Sequence, residues 1–306
     1  MLRAVFISLS ESRSLRAVAE KSSLGRRIST RFVAGTEIED VLRATKLINQ
    51  NGATVSIDNL GENVTNVDEA RASARLYHGL LDAISSQGLK ANISLKLTHM
   101  GLDVDEALAH ELVGGLVAKA ASLKSFVRVD MEGSPYTQRT LDFVHQLHSA
   151  RGNQGAVGTV IQSYLYRSEK DVNDLLAAGI RIRLCKGAYK EPPEIAFQKK
   201  SEVDANYIKL MKTLMTSGIY HGLATHDERI INEAKAFATR EKITPDSFEF
   251  QMLHGIRRDL QQQLVKQGWR MRVYIPFGTE WYPYFMRRLA ERPANVFFIL
   301  RNLFRA

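Results

Sequence analysis

The fold turns on NISLKLTHMGLDVDEALAHELVGGLVAKAASLKSFVRVDMEG, residues 92–133. It opens on a run rich in branched and apolar side chains, 92–101, closed by Gly101. Over Asp103–Ala121 the apolar residues recur at spacings of three and four, as a helix with one buried face requires. A second apolar run, FVRVDMEG at 126–133, again ends on glycine. Strand, helix and strand in so short a span read as one βαβ unit.

The same alternation fills most of the chain. Further strand-like runs are ATVSIDNLG (53–61), GTVIQSYL (158–165), IRIRLCKGAY (180–189), HGLATH (221–226), FEFQML (248–253) and RMRVYIPFG (270–278). Between them, helical spacing is found over Val67–Ser86, Thr137–Ala150, Glu169–Ala178, Glu202–Ser217, Glu228–Arg240 and Arg257–Gln267. Thr65 or Asn66, Asp103, Thr137 and Ser168 are the candidate helix caps. Eight strands alternating with helices predict an α/β fold, a parallel (β/α)8 barrel of TIM type. A doubly wound sheet also alternates, but it carries a GxGxxG turn after its first strand, and NLGEN does not fit one. Residues 1–50 are assigned to an N-terminal helical arm. Residues 51–306 are assigned to one catalytic barrel whose C-terminal helices divide at Pro293.

Composition narrows the function. Hydrophobic residues make up 44% and charged residues 25% of 306, which excludes a disordered, collagenous or coiled-coil chain. No uncharged apolar run reaches the ~18 residues of a membrane-spanning helix. Cys185 is the one cysteine, so no intrachain disulfide forms, and no HExxH or paired-Cys spacing offers a metal site. Of the formal +9, residues 257–306 hold 10 basic side chains against 3 acidic ones. No homeodomain, KH, RRM or zinc-finger pattern accompanies that excess. It suits an anionic small ligand or a phosphate-bearing surface, an acidic bilayer being the favoured macromolecular contact. The Arg- and Ser-rich first thirty residues resemble a transit peptide, but Glu11 and Glu20 favour an amphipathic arm packed on the body.

A barrel of this kind puts its chemistry at the C-terminal ends of the strands. Those ends carry Lys96 and His99; Arg128, Asp130, Met131 and Glu132; Gln162; Arg183, Lys186 and Tyr189; Thr225 and His226; Gln251 to His254; and Tyr274. Arg287 and Arg288 follow the last strand. Each has an ordinary explanation as well. A lysine at a strand end is usually solvated, Arg128 and Asp130 can be an internal ion pair, Arg287 and Arg288 can face solvent, and Thr225-His226 can be a helix cap. Cys185 in an apolar strand reads as a buried, inert thiol. Lys96 is harder to dismiss, because Leu95 and Leu97 share the opposite face.

RLCKGAYKEP and RVYIPFGTEWYPYFMRRLAERPANVFF, with ISLKLTHMGLD, VRVDMEGSPYT, IQSYLYR, GLATHD and FEFQMLHGIR, resemble the flavin-dependent proline dehydrogenases of the short monofunctional bacterial type. The resemblance runs in order from about residue 50 to 300. It implies a distorted barrel with an extra helix over the mouth, holding FAD non-covalently. The implied reaction oxidises L-proline to 1-pyrroline-5-carboxylate and passes electrons to a membrane quinone, the first step of proline catabolism to glutamate. A separate pyrroline-5-carboxylate dehydrogenase then takes the product. By the same resemblance, Lys96, Arg287 and Arg288 hold the substrate carboxylate and Asp130 sits beside the ring nitrogen. Tyr189, Leu253 and Tyr274 wall the ring. Met131, Gln162, Arg183, Lys186, Gly187, Ala188, Thr225 and His226 contact FAD. The implied setting is cytoplasmic, with peripheral contact at the inner face of the membrane left open.

The chemistry is consistent with those roles. Guanidinium forks match a carboxylate in bidentate fashion, and Glu291, within a helical turn of both arginines, can support them. Oxidation beside nitrogen creates an iminium cation, which Asp130 would favour as charge develops. Arg183 would oppose the negative charge of reduced FAD. His254 and Cys185 depart from the family pattern, beside the contact residues rather than among them. Two other readings remain open at this level: a Schiff-base lyase or aldolase using Lys96 or Lys186, and a non-catalytic module for anionic surfaces.

Overall fold

The computed structural model describes residues 31–286 except Pro283. The chain enters on α1 (Ile38–Gln50), then β1 (Thr54–Asn59), α2 (Val67–Ser86), β2 (Ala91–Leu95), α3 (Glu106–Ser122), β3 (Val127–Val129) and α4 (Ser134–Ser149). It continues through β4 (Val157–Gln162), α5 (Ser168–Ala177), β5 (Arg181–Cys185), α6 (Lys200–Met215), β6 (His221–Ala224), α7 (Glu228–Arg240), β7 (Phe248–Leu253), α8 (Arg258–Lys266) and β8 (Met271–Phe277). The strands form a closed parallel barrel in chain order. Val55 opposite Val273 joins the last strand to the first, so the barrel has no open edge.

Each predicted strand lies where expected, and all but β7, which matches its expected 248–253, end sooner. β3 keeps three residues and β2 stops at Leu95, after which Thr98–Met100 form a 3₁₀ turn. The apolar signal continues into the loops because these line the cavity, whereas the ladder ends where neighbouring strands diverge. Helix starts show what spacing misses. Asn66 caps α2, accepting from Glu69 N at 2.9 Å. α3 is capped by Asp105 (Leu108 N at 3.1 Å) rather than Asp103, whose carboxylate is taken by Tyr136 OH and Arg139. α4 begins at Ser134 with Pro135 in its first turn, ahead of Thr137, and Ser168 is the first residue of α5 rather than its cap.

The two faces of the strands are chemically opposite. Val55, Ile57, Ile93, Leu95, Val127, Val129, Ile182 and Leu184 are fully buried, packed between sheet and helices. At about 1.5–3 kcal/mol for each such side chain, this shell is the main favourable term in stability. The alternate residues face the barrel axis, and many of them are polar. Arg183 reaches Ser56 and Ser94, and Arg272 reaches Asn92 and Glu249. Gly158 makes room in this interior, since a Cβ there would lie 2.9 Å from Arg128 Nη1.

Two ends close the barrel. α1 packs on β1 and β8, with Ala34 N donating to Pro276 O at 2.9 Å. Trp281, Tyr282, Tyr284, Phe285 and Met286 bury with Val33 and Leu60 above the mouth. Residues 1–30 of the expected arm and the C-terminal helix beyond 286 lie outside the described residues. Among the described residues no helix is long and apolar enough to cross a membrane.

Buried histidines make the fold acid-sensitive. Burial, reinforced by Lys96, lowers His99 to about 4. Burial together with Arg128 and Arg181 lowers His221 to about 3. An unfolded chain protonates both near pH 6.5, so stability is lost as pH falls below that value, by about 1.4 kcal/mol per unit for each. His221 accepts from Ile182 N at 3.0 Å. His221→Asn, which keeps an acceptor there, is expected to flatten the fall of Tm between pH 6.5 and 4.5. Parallel Tm curves for the two proteins would remove His221 from the account.

Candidate active site

Every predicted site residue inside the described region lines one cavity of about 400 Å³ at the C-terminal mouth of the barrel. Lys96, Asp130, Met131, Gln162, Arg183, Lys186, Gly187, Ala188, Tyr189, Thr225, His226, Leu253 and Tyr274 come from seven strands and their following loops, converging because a closed barrel aims its strand ends at one point. Arg287, Arg288 and Glu291 lie outside the described residues.

Its centre is a charged pair below the floor. Asp130 Oδ1 accepts from Arg183 Nη1 and from Ser94 Oγ, both at 2.7 Å, and Oδ2 accepts from Tyr274 OH at 2.9 Å. The Tyr274 ring lies under the guanidinium, 5.1 Å from its centroid. Arg128, the alternative partner for Asp130, faces the other end of the barrel. It donates to Thr159 O at 2.6 Å and Arg181 O at 2.7 Å, so it belongs to the structural base and not to the mouth.

Lys96 has a partner that the sequence reading missed. Its Nζ lies 3.3 Å from Asp58 Oδ2, with Asp58 almost wholly buried on β1. Burial raises Asp58 to about 6, and Asp130 adds to that against the opposing pull of Lys96. For Lys96 burial works against the charge, but Asp58, Asp130 and Glu62 together hold the ammonium well above its ordinary range. Asp58 carries the same signal as Asp130, an acid in an otherwise apolar run. Only the cross-strand contact shows which lysine it serves. Ser56 and Ser94 gave no signal, since a lone serine in a strand is ordinary.

The loops are fixed by named contacts. Gln162 donates from Nε2 to Glu132 O (3.0 Å) and accepts at Oε1 from Ala188 N (3.3 Å), joining two loops across the cavity. Glu191 accepts from Ser134 N at 2.8 Å and Ser134 Oγ at 2.6 Å, which caps α4 and anchors the segment carrying Tyr189. Gly187 has φ +124°, and a Cβ would sit 2.5 Å from the Tyr164 ring. Glycine is needed there on both counts. Lys186 Nζ contacts Asp204 (2.6 Å) and Asp227 (3.1 Å). His226 accepts at Nε2 from Leu253 N at 3.0 Å, and Thr225 Oγ1 accepts from Asp227 N at 3.1 Å. The cap of α7 is Asp227, whose Oδ1 accepts from Arg229 N at 3.2 Å, so Thr225 and His226 precede the cap rather than form it, and both face the cavity.

Of the two departures from the family pattern, Cys185 stands among the cavity-lining residues and is half-buried, not an inert core thiol. The period of two that turns Arg183 inward turns Cys185 inward as well. Burial, with Arg258 nearby, lowers His254 to about 4. Phe32, Glu62, Tyr284 and Phe285 complete the cavity wall, none of which the strand pattern signals.

A family model described as proline dehydrogenase matches residues 41–301. The chain belongs to that family. Proline dehydrogenase 2 of Bacillus subtilis (strain 168) is 39% identical over 302 residues, covering 98% of each chain. Proline dehydrogenase of Deinococcus radiodurans is 40% identical over 281 residues, 90% of each. The crystal structure of proline utilization A from Bdellovibrio bacteriovorus, inactivated by N-propargylglycine, superposes with a TM-score of 0.81 at 25% identity over 87% of this chain. This chain spans 32% of that longer protein. Family membership makes the protein an oxidoreductase acting on proline.

Proposed function

We propose that the chain oxidises L-proline to 1-pyrroline-5-carboxylate with FAD held non-covalently in the barrel mouth, the first step of proline catabolism. The observation that carries this reading is the joint placement of Lys96 and the Arg183–Asp130–Tyr274 cluster on one cavity.

The cavity lining suits FAD. Val160, Ala224, Met252 and Ile256 offer apolar surface to a flat ring, while Arg183, Lys186 and Gln162 offer donors to its polar edge and phosphates. Small residues at Gly187, Ala188 and Ala224 let a cofactor approach the backbone closely. Met131, Thr225 and His226 complete the proposed contacts. FAD, when bound, supplies the two-electron acceptor.

The chain's own residues supply orientation and field. Lys96, joined in this proposal by Arg287 and Arg288 with Glu291 in support, binds the substrate carboxylate. Tyr189, Leu253 and Tyr274 wall the pyrrolidine ring. Asp130 faces the ring nitrogen and favours the cationic product as charge develops. Burial also pushes the Tyr274 phenol well above its ordinary range, with Asp130 and Asp58 adding to the effect, so it stays a hydrogen-bond donor to Asp130.

The Schiff-base alternative needs a neutral amine. Lys96 is held charged against Asp58, and Lys186 sits between two carboxylates, so neither lysine suits it. The reading extends to a membrane quinone as electron acceptor, a separate enzyme for the pyrroline product, and a cytoplasmic setting with peripheral membrane contact. Purified protein is expected to be yellow and to bleach on anaerobic addition of L-proline. A colourless protein, or a flavin that proline leaves oxidised, would remove the proposal.

A further inference from the structure

Below the cavity, a hydrogen-bonded column runs along the barrel axis. At its lower end the Glu249 carboxylate, 4% exposed, accepts from Arg272 Nε at 2.6 Å, Tyr220 OH at 2.9 Å and Gln251 Nε2 at 2.6 Å. Two residues further along β7, Gln251 Oε1 accepts from Arg183 Nε at 2.6 Å. A primary amide has two chemically different ends, and both are fixed here. Its nitrogen meets a carboxylate that only accepts, and its oxygen meets a guanidinium that only donates, which leaves one orientation of the amide.

Gly222 gives that amide its space. It is paired with Glu249 in the ladder and has no left-handed φ, so the backbone does not demand glycine. A Cβ would instead lie 2.3 Å from Gln251 Nε2 and 2.8 Å from its amide carbon. What requires the missing side chain is the position of Gln251.

Arg183 has five N–H donors. Gln251 takes the one on Nε, Asp130 and more distantly Ser94 take those of Nη1, and Ser56 takes one on Nη2. Among the described residues that leaves the second N–H of Nη2, on a side chain that lines the cavity. Asp130 and the two serines hold the outer nitrogens, and the bond at Nε adds the anchor at the base of the fork that fixes its plane.

We propose that Gln251, locked by Glu249 and accommodated by Gly222, is a positioning residue that holds the Arg183 guanidinium plane so its remaining N–H faces the flavin. This rests on the reading of the cavity as an FAD site. A small displacement of such a donor weakens its hold on the developing charge far more than it weakens substrate binding.

The test uses FAD-loaded Gln251→Met, Gly222→Ala and the double variant. Gln251→Met keeps the bulk and removes both polar ends, while Gly222→Ala disturbs the same amide from the neighbouring strand. Each single variant is expected to retain KM for proline within about twofold and to lose roughly tenfold in kcat. The midpoint potential of bound FAD should become more negative. A tenfold shift in the reduction equilibrium corresponds to about 30 mV for a two-electron couple. Because both changes act through one contact, the double variant should show no further shift. Variants whose kcat and potential match a proline-bleached wild type would overturn the positioning role alone. A lowered Tm with an unshifted potential in the folded fraction would do the same. A wild-type protein that binds no FAD would overturn this inference and the flavin reading together. Where Gln251→Met fails to fold, Gly222→Ala decides the question.

Discussion

Asp130→Ala lowers kcat/KM for proline by roughly 10²–10³, the largest single loss expected at this site. Asp130 is the common acceptor of Arg183, Ser94 and Tyr274, so its removal costs both the field at the ring nitrogen and the geometry of the floor. Asp130→Asn separates these effects. An amide retains the size and one acceptor for Arg183 or Ser94, but it carries no negative charge to favour an iminium product. If the charge matters, asparagine is nearly as damaging as alanine in kcat while Tm stays near wild type. Near-complete recovery by asparagine would show that Asp130 organises the site without acting on the reacting nitrogen.

Lys96→Met raises KM for proline by about a hundredfold or more and changes kcat less. Two terms contribute. A charge-assisted contact to the substrate carboxylate is lost, typically about 1.5–3 kcal/mol. Asp58 is also left almost wholly buried beside an incoming carboxylate, with the Lys96 ammonium that faced it gone. The second term is reversible by protonation. Asp58 already sits near 6, and loss of Lys96 moves it higher, so the KM defect should shrink as the assay pH falls through that range. Asp58→Asn added to Lys96→Met should recover part of the affinity. Steady-state kinetics of the single and double variants between pH 6 and 8.5 settles it. A KM for Lys96→Met within twofold of wild type across that window would take Lys96 off the carboxylate.

These outcomes bear on how a polar barrel interior remains stable. Many barrels of this kind fill their axis with layers of branched apolar residues. Here the apolar packing is concentrated between sheet and helices, and the axis carries arginines, carboxylates and amides. Burial costs each of these charges several kcal/mol unless its bonding is satisfied. Arg183, Asp130, Glu249 and Arg272 each have several hydrogen-bond partners, which is why removing one partner should matter more than its single bond suggests.

Eight strands, their order and the polar residues at their C-terminal ends were readable from the amino-acid order, because the two-residue period of a strand and the 3.6-residue period of a helix are local properties of the chain. Phe32, Glu62, Tyr284 and Phe285 on the same cavity were not. Lys96 and Asp130 stood out as charges in apolar runs. Which charge meets which was not readable. Asp130 pairs with Arg183 on β5 rather than with Arg128 two residues away, and Lys96 pairs with Asp58 on β1. Contacts across the axis depend on how far each strand is staggered against the next, a property of the closed barrel that no local period encodes. Cys185 shows the same division. Its apolar neighbours suggested a core thiol, yet the strand's alternation, once register and closure are known, turns it toward the cavity.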